Sequence, residues 1–584
     1  MNPNRPYDPD DTRRMMMAMF LLGIGLLVWH FVYEYPRQQA AQKHAMEVMA
    51  KEKAQLATLE EKQKAESVVA HKVAAKMPKI KIDAPEMQGQ IALHGGRFNG
   101  LSLTHFAQKA KKNSPPVELL KPSNAPDAFF VEFGWISPDS SVKVPQSNTL
   151  WQSDSKTLLP DKSVTLFWEN DQKIRFELVI ARKDAYLFNV QQRVINNGKK
   201  AVSLLPYGYI NRSLLDHDLN DLVSHEGPIG VMDGSLKELK YKDLIAEGKV
   251  VQQNATGWLG ISDKYWLTAL IPQNDQTYTG NFKAYLGKDA LAHRYQADFM
   301  GKAVEVAAGA TGSYQAMLFA GAKKMQMLDE YAAKYQIPLF DRAVDLGWFY
   351  FLTKPLFTLL HMLYVFAGDF GLAILLLTVL VKLAMYPLAN KSFVSMNEMK
   401  RLQPKMVELK ERCGADKVKY QQEIMKLYKQ EKINPAAGCL PMLIQMPVFF
   451  ALYKVFYVTI EMRHANFFGI IRDLSAQDPT NLFTGFGLID WNPPSLLTLG
   501  IMPILFACSM VAQQRMSPKP TDPAQAKAMQ FLPWIFMFIM AHFPAGLLLY
   551  WIWSNMISIA QQWNIKRRYE KRSEKRNALA ANDA

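Results

Sequence analysis

GLAILLLTVLVKLAMYPLAN, residues 371–390, is an apolar run that contains one charged side chain, Lys382. Roughly 20 apolar residues in a helix are needed to cross the ~30 Å hydrocarbon core of a bilayer. A charge near the middle of such a helix costs about 2.5–3.5 kcal/mol on insertion scales, and the run contains no acidic partner. We therefore predict a transmembrane helix whose Lys382 faces a polar cavity. The alternative is a lysine that snorkels to the membrane surface.

The composition fits a membrane protein with a large polar domain. The chain has 584 residues, enough for two or three domains, and its mean hydropathy of −0.11 is too low for a protein that lies in the membrane throughout. Its three cysteines are Cys413, Cys439 and Cys508, so no disulfide can form within residues 34–340. The formal net charge of +15 suits contact with anionic lipid or RNA and does not distinguish between them.

A second apolar run, MMMAMFLLGIGLLVWHFVY (15–33), follows Arg13 and Arg14. It is longer than the apolar part of most signal peptides, and no small-residue cleavage site follows it. We predict an uncleaved transmembrane anchor that follows a cytoplasmic N-terminus, residues 1–14. Most of segment 34–84 is rich in Ala, Lys, Gln and Glu. Because this composition cannot bury a core, we predict a flexible tether.

Residues 85–340 have the pattern of an all-β domain followed by a linker. SVTLFWENDQKIRFELVIARKDAYLFNVQQRVINN (163–197) and GWLGISDKYWLTALIP (257–272) contain short β-rich runs broken by turn residues. Many short strands without helical periodicity predict a β-sandwich.

Histidine and acidic residues occur together in this domain, as in Asp216–His217–Asp218 and His225–Glu226. Their spacing matches neither a metal site nor an activated nucleophile. The nucleotide motif G-x-x-x-x-G-K-S/T and the zinc motif H-E-x-x-H are also missing from the sequence. We therefore predict that the protein is not an enzyme and has no catalytic residue, cofactor or metal.

Loop charge predicts the orientation of the chain in the membrane. Residues 391–432 contain eleven Lys and Arg residues, and short basic loops stay in the cytoplasm. The apolar segment 348–366 then lies along the outer membrane surface, because a further crossing there would place this basic loop outside. The resulting six spans are 15–33, 371–390, 440–458, 495–513, 528–543 and 547–563. Both termini are predicted to be cytoplasmic, and the last residues, 566–584, form a basic tail.

The basic loop 391–432 has the pattern of a helical hairpin. Met396, Met399 and Leu402 recur at helical spacing. Cys413–Gly414 predicts a helix stop, and Asp416 predicts the start of a second helix. The charges of this hairpin are either a solvated face or a surface that docks a partner.

Several polar residues lie inside the predicted spans. Thr378 is one helical turn before Lys382, Gln445 follows Pro441, and Tyr550 and Asn555 lie in the last span. If these helices are neighbours, the side chains would line one wet cavity. Methionine and phenylalanine are also frequent in the spans, where they form either packed core or an adaptable surface for apolar clients. The residues of this predicted client-helix slide are Met442, Met446, Phe449, Phe450, Phe531, Phe536 and Met537.

Five segments resemble the YidC/Oxa/Alb family of membrane protein insertases. They are KLAMYPL (382–388), QPKMVELKERCGADKVKYQQEIMKLYKQEKINPAAGCLPMLIQMPVFFALY (403–453), DLSAQDP (473–479), QRMSP (514–518) and FPAGLLLYWIWSN (543–555). The resemblance is to the Gram-negative bacterial type, which has an added first span and a large periplasmic domain. LHGGRFNGLSL (93–103) resembles the start of that domain, a β-supersandwich similar to galactose mutarotases.

The resemblance implies a fold and an activity. The fold is a polytopic α-helical membrane protein with six spans, of which five form the insertase core at 369–565, plus the all-β periplasmic supersandwich and an interfacial helix at 341–368. The activity is insertion of nascent membrane proteins without a chemical reaction, through a hydrophilic groove open to lipid. Lys382 occupies the position of the family's groove arginine and keeps its charge without its planar fork. Thr378 and Tyr550 are groove positions, and Trp551 stands where a tyrosine is usual.

The resemblance also implies partners and a location. The expected partners are nascent membrane-protein clients, Sec translocon subunits, the ribosome and anionic lipids, with no specific DNA. The expected location is the bacterial inner membrane. The residues expected to contact the ribosome or lipid are Lys566, Arg567, Arg568, Lys571 and Arg572.

Two other classes remain as alternatives. A secondary transporter or channel would require charged groups in several spans and inverted repeats. A tethered carbohydrate-processing enzyme is suggested only by the mutarotase-like fold, and fold alone does not carry function.

Overall fold

The part of the chain described by the computed structural model comprises two β-sheets and a series of C-terminal helices. It covers residues 76–111, 113–215, 224–273, 275–286, 292–414, 416–431, 440–467, 471, 473–487, 499–516 and 523–582. The predicted first span, 15–33, and residues 34–75 of the predicted tether lie outside this part. Pro78–Lys121 and Phe129–Ala584 belong to one compact unit.

The strands lie between residues 79 and 322. In chain order they are β1 (Lys79–Asp83), β2 (Met87–Ala92), β3 (Arg97–Ala107), β4 (Pro116–Leu120), β5 (Phe129–Ile136), β6 (Gln152–Ser153), β7 (Thr157–Leu158), β8 (Ser163–Glu169), β9 (Ile174–Asp184), β10 (Leu187–Asn196), β11 (Val202–Leu215), β12 (Gly227–Met232), β13 (Ser235–Glu238), β14 (Lys249–Ala255), β15 (Gly257–Ser262), β16 (Trp266–Pro272), β17 (Tyr278–Leu286), β18 (Ala292–Met300), β19 (Val304–Val306) and β20 (Thr311–Ala322).

These strands form an 11-stranded and a 9-stranded sheet. The first has the order β14-β17-β18-β11-β5-β3-β2-β1-β7, with β19 beside β11 and β4 beside β3. The second has the order β13-β12-β15-β16-β20-β10-β9-β8-β6. Phe98 of the first sheet contacts Phe188 of the second, with ring centroids 5.2 Å apart. Both rings belong to one continuous buried core, so the predicted β-sandwich is confirmed.

The sandwich begins earlier than the sequence pattern indicates. β1 (KIKID) lies inside the predicted tether and pairs with β2, so the tether boundary at residue 84 is wrong. Ile80 and Ile82 are buried, and Lys79 and Lys81 are exposed. Two isoleucines at alternate positions are enough to seat a short strand on an existing core, although they are too few to stand out in a charged segment.

One α-helix lies between β13 and β14, and the other helices follow the strands. They are α1 (Tyr241–Glu247), α2 (Met325–Lys334), α3 (Tyr350–Ala367), α4 (Phe370–Ala384), α5 (Tyr386–Cys413), α6 (Lys417–Gln430), α7 (Leu440–Val458), α8 (Ile501–Met516), α9 (Pro523–Met540) and α10 (Ala545–Asn582). Short 3-10 helices occupy Phe340–Ala343, Ile460–Met462 and Leu482–Gly487. α10 packs against α4, α7 and α8, and α3 packs against α4 and α7.

The predicted span 371–390 is not one straight helix. α4 ends at Ala384, and α5 begins at Tyr386 at an angle of 63° to it. Pro387 lies in the first turn of α5, where proline disfavours helical backbone in the residue before it and has no N–H to offer the previous turn. Lys382 therefore lies in the last turn of α4, next to the bend.

The start of α4 is held by two local features. The Asp369 side chain accepts a hydrogen bond from the Leu372 amide at 2.9 Å and caps the helix. Gly371 is required by close packing, because a Cβ there would lie 1.9 Å from the Phe467 ring.

The hairpin ends where the sequence indicated. α5 stops at Cys413, followed by Gly414 at φ 56°. Asp416 caps α6 by accepting hydrogen bonds from Val418 and Lys419. Across the hairpin, Lys405 and Glu431 form an ion pair of 2.7 Å.

The number of membrane spans stays a prediction. Among the described residues, α3 alone is long and apolar enough to cross a membrane by itself, and the bent pair of α4 and α5 passes the same test together. Ile444–Val458 and Met529–Met540 are shorter apolar helices. α10 is one helix of 38 residues, so the predicted last span, 547–563, runs without a break into the predicted basic tail.

Candidate functional site

Lys382 reaches from α4 across to α10. Its Nζ donates a hydrogen bond to the Ser558 Oγ over 2.9 Å. Ser558 is buried. No carboxylate among the described residues pairs with Lys382. A cation that meets only a neutral hydroxyl keeps its full charge available to a ligand.

Thr378, one turn before Lys382 on α4, is fully buried. Its hydroxyl donates to the Ile374 carbonyl oxygen at 2.6 Å. This bond lies within the same helix, as is common for threonine. Thr378 therefore contributes a small polar atom to the interior of the helix cluster.

A second polar contact joins α7 to α10. The Gln445 Nε2 donates to the Tyr550 hydroxyl at 3.0 Å. Tyr550 is buried, and its ring lies 6.1 Å from that of Phe456. Because Tyr550 is two helical turns from Ser558, the two polar contacts are separated by about 12 Å along α10.

Asn555 links α10 to a third helix. Its Nδ2 donates to the Ser509 Oγ of α8 at 2.9 Å. Ser509 in turn donates to the Phe506 carbonyl oxygen at 2.7 Å. The predicted polar residues therefore belong to neighbouring helices and meet in separate pairs along α10. That they line one wet cavity stays a prediction.

Trp551 has an apolar environment. Its ring lies between Phe449, 5.2 Å away, and Phe506, 5.5 Å away, in edge-to-face contacts. Its indole nitrogen has no hydrogen-bond partner in the part of the chain that the structure describes. Its contacts in the structure are packing contacts beside the polar pairs.

Asn555, predicted from the sequence, belongs to a longer polar seam of α10 that also comprises Ser554, Ser558 and Gln562. Sequence analysis missed Ser558 and Gln562. All four side chains are at most 8 % exposed. Ser554, Ser558 and Gln562 are four residues apart and so share one helix face. The Gln562 Oε1 has no hydrogen-bond partner within the described ranges. The four-residue spacing was the available signal, and its meaning depended on which face is buried.

The predicted client-helix slide divides into exposed and covered residues. Met446 and Phe450 on α7 and Phe531 on α9 are between 45 % and 55 % exposed. Phe449 and Phe536 are half-buried, and Met537 is buried beside Leu499 and Ala507. The side chain of Met442 lies outside the described residues.

The exposed apolar surface is larger than the sequence indicated, because further apolar residues on the same helices are exposed. They are Ile444 on α7 and Leu532, Trp534, Ile535, Phe538 and Ile539 on α9. Exposed apolar patches of this kind mark contact with lipid or with an apolar partner.

The predicted ribosome or lipid contacts lie on the continuation of α10. Lys566, Arg567, Arg568 and Lys571 are exposed, and the Arg567 guanidinium lies 4.7 Å from the centre of the Trp563 ring. The side chain of Arg572 lies outside the described residues. The helix thus presents basic groups beyond its buried polar seam.

Of the histidines that sequence analysis singled out, the structure describes His225. Asp216, His217 and Asp218 lie outside the described residues. The backbone N–H of His225 donates to Asp345 at 3.0 Å, and its ring nitrogen is 3.1 Å from the Pro228 carbonyl oxygen. Burial lowers the pKa of His225 to about 4. The described residues contain no group of three or more His, Cys, Asp or Glu side chains that could hold a metal ion.

The sandwich is fastened to the helices by polar contacts. Lys454 of α7 forms a 2.7 Å ion pair with Asp345. Arg463 donates to the carbonyl oxygens of Ala107 at 2.7 Å and Gln108 at 3.0 Å. Burial tends to raise the pKa of Asp345, but Lys454 and hydrogen bonds hold it below its ordinary value. Asp345 is therefore charged at neutral pH.

Comparison with known proteins covers both halves of the chain. Residues 79–359 match the model of the YidC periplasmic domain, and residues 362–573 match the model described as 60Kd inner membrane protein. A membrane protein insertase YidC of Rickettsia bellii is 45 % identical over 559 residues, which cover 94 % of this chain and 98 % of that protein. The protein of the same name from Rickettsia conorii is 44 % identical over 556 residues, with the same coverage.

Similar solved structures include a crystal structure of an active YidC insertase with its first transmembrane domain resolved. It is 18 % identical and covers 83 % of this chain and 92 % of that chain, with a TM-score of 0.35. A galactose mutarotase-like protein from Lactobacillus casei is 12 % identical and covers 42 % of this chain and 100 % of its own, with a TM-score of 0.31. The matches to both family models and to near full-length relatives show that the chain belongs to the YidC family.

Proposed function

We propose that this protein inserts nascent membrane proteins into the inner membrane of a bacterium. The observation that carries the proposal is the Lys382–Ser558 contact, 2.9 Å long, which leaves a cation without a carboxylate partner among the described residues of an apolar helix cluster. The relatives named membrane protein insertases support the activity. No covalent step is part of the proposal, so it requires no nucleophile, cofactor or nucleotide.

In this proposal the polar groups of α4, α7 and α10 line a hydrophilic groove that opens to the cytoplasm and to lipid. Lys382, Gln445, Tyr550 and Asn555 supply polar atoms inside it. A hydrated recess lowers the barrier for a polar client segment, because less of its path is through hydrocarbon. The apolar helix of the client slides along the exposed surface formed by Met446, Phe450 and Phe531 and their neighbours.

The proposed topology has six spans and both termini in the cytoplasm, with α3 on the outer surface of the membrane and the sandwich in the periplasm. The hairpin of α5 and α6 and the basic end of α10 then share the cytoplasmic side. We propose that these basic surfaces receive a ribosome or anionic lipid, and that clients enter either directly or from the Sec translocon. A secondary transporter is not supported by the relatives found.

Reconstitution tests this proposal directly. The purified full-length chain in liposomes should insert a small single-span client without ATP, as measured by protection of the client from added protease. Liposomes that contain a denatured preparation of the same chain are the matched control. Equal protection in both preparations would contradict the proposal.

A further inference from the structure

The position of the Lys382 ammonium depends on one side chain in the described structure. Its Nζ donates to the Ser558 Oγ at 2.9 Å. Lysine carries a compact charge on a flexible four-carbon stem and has no planar fork that would set its direction. The acceptor that it meets therefore decides where the charge lies in the groove.

Ser558 is itself held in place by its helix. One turn earlier, Asn555 donates to Ser509 of α8 at 2.9 Å. Ser509 donates onward to the Phe506 carbonyl oxygen at 2.7 Å, so its hydroxyl hydrogen is used there and its oxygen is oriented toward Asn555. This chain of bonds fixes α10 against α8 next to Ser558, and the serine hydroxyl meets the lysine from a rigid support.

Gln562 adds an unused acceptor one turn beyond Ser558. Its Oε1 is buried and has no partner among the described residues. The rise between positions 558 and 562 is about 6 Å. We expect an arginine at position 382, with five donors and a longer reach, to use this second acceptor, whereas the shorter lysine is bonded to Ser558.

We infer that Ser558 is the positioning residue for Lys382, holding the ammonium so that its remaining donors face an acidic client segment. This inference rests on the proposed function and deepens it. Ser558 acts through the lysine and does not itself contact the client. Loss of its hydroxyl should therefore reduce discrimination between clients and leave the general ability to insert them.

The test uses the full-length chain in liposomes and two clients that differ only in an acidic or a neutral N-terminal tail. Ser558→Ala should lower the acidic-to-neutral insertion ratio about fivefold, the size of the net contribution of one typical hydrogen bond. Ser558→Thr keeps the hydroxyl and should restore the ratio. Lys382→Arg should make the ratio insensitive to Ser558→Ala, because Gln562 offers a second acceptor.

Ser395→Ala is the matched control, since it removes a buried hydroxyl from α5. It should leave the ratio unchanged. Because both clients are inserted by the same vesicles, the ratio does not depend on the yield of folded protein. An unchanged ratio in Ser558→Ala, or a loss that Ser558→Thr does not restore, would overturn the inference alone. A wild-type chain that inserts neither client would overturn the proposed function and the inference with it.

Discussion

Buried charge is treated differently in the sandwich and in the helical region. In the sandwich, Arg97 meets Glu132 at 2.6 Å and Lys283 meets Asp298 at 2.6 Å. In the helices, Lys382 meets the neutral hydroxyl of Ser558. Charges that are paired inside a domain stabilise one arrangement, whereas a charge without an opposite partner is available to a ligand. One buried lysine of the sandwich, Lys323, also donates to a serine hydroxyl, that of Ser262 at 2.9 Å, but the carboxylates of Asp263, Asp345 and Glu226 act on its charge. Lys382 has no carboxylate partner among the described residues, and on this ground we propose that the working surface lies in the helical region.

Reversing the unpaired charge should produce the largest effect on function. Lys382→Glu should reduce insertion of a client with an acidic tail by about tenfold or more, equivalent to at least ~1.4 kcal/mol, because the groove would repel the tail. Lys382→Arg keeps the charge and is the matched control. The readout is protease protection of the client in liposomes. Equal insertion of acidic and neutral clients by the glutamate variant would remove electrostatics from the account.

Removing a paired charge in the sandwich should affect stability and leave insertion by the folded protein intact. Glu132 accepts hydrogen bonds from Arg97, Tyr207 and Tyr209. Glu132→Gln keeps the shape but removes the negative charge that faces Arg97, which should lower the free energy of unfolding by about 3 kcal/mol. Denaturant unfolding in detergent measures this loss.

The control for that substitution is a change in an ion pair on the surface of the same sandwich. Lys143 and Asp171 are 2.7 Å apart and more than half exposed. Asp171→Asn should leave the midpoint of unfolding unchanged, because water screens exposed pairs. Equal losses in both variants would show that burial does not separate the two kinds of charge.

His225 should make the stability of the sandwich depend on pH. Burial lowers its pKa from 6.5 to about 4, so the folded protein binds this proton less readily than the unfolded chain. The neutral ring is accommodated above pH 6.5, and stability should fall as the pH drops from about 6.5 to about 4, by roughly 3 kcal/mol in total.

His225→Gln should remove this part of the pH dependence, because glutamine does not titrate. The substitution keeps the backbone N–H that donates to Asp345. Thermal unfolding of both proteins across this pH range measures the difference. Parallel curves of stability against pH for the two proteins would contradict the assignment of this pH dependence to His225.

The basic end of α10 carries a third kind of charge, on side chains exposed to solvent. Truncation after Trp563 removes Lys566, Arg567, Arg568 and Lys571, which are exposed. It should weaken co-sedimentation with ribosomes modestly and mainly at low salt, because contacts to RNA phosphates are strongly salt-dependent. A variant with these four residues changed to glutamine keeps the helix length and is the control for the loss of chain. Equal ribosome binding by all three proteins across a salt series would show that the basic end of α10 anchors the chain at the membrane and does not bind the ribosome.

Local sequence patterns predicted the features that a few neighbouring residues decide. The stop at Cys413–Gly414 and the cap at Asp416 were predictable because helix ends are set by the residues there. Gln445 and Tyr550 were recognised as polar groups in apolar surroundings, and the structure brings them to 3.0 Å.

Features that depend on packing were not predictable. Ser558 and Gln562 look like ordinary polar residues near a helix end until the buried face of α10 is known. The bend at Met385 was hidden because an apolar run continues through it. The burial of Met537 depends on Ala507 of α8 and on Leu499, which precedes that helix. A single sequence does not state which helices are neighbours.

The most direct measurement of the central claim is the water accessibility of position 382. In a chain with its three cysteines replaced, Lys382→Cys and Leu383→Cys should be compared in intact membranes with a water-soluble thiol reagent. Leu383 is more than half exposed on the protein surface, and the account places it against lipid. We predict rapid labelling at 382 and little at 383. Labelling at 383 alone, or equal labelling at both positions, would contradict a hydrated groove around Lys382.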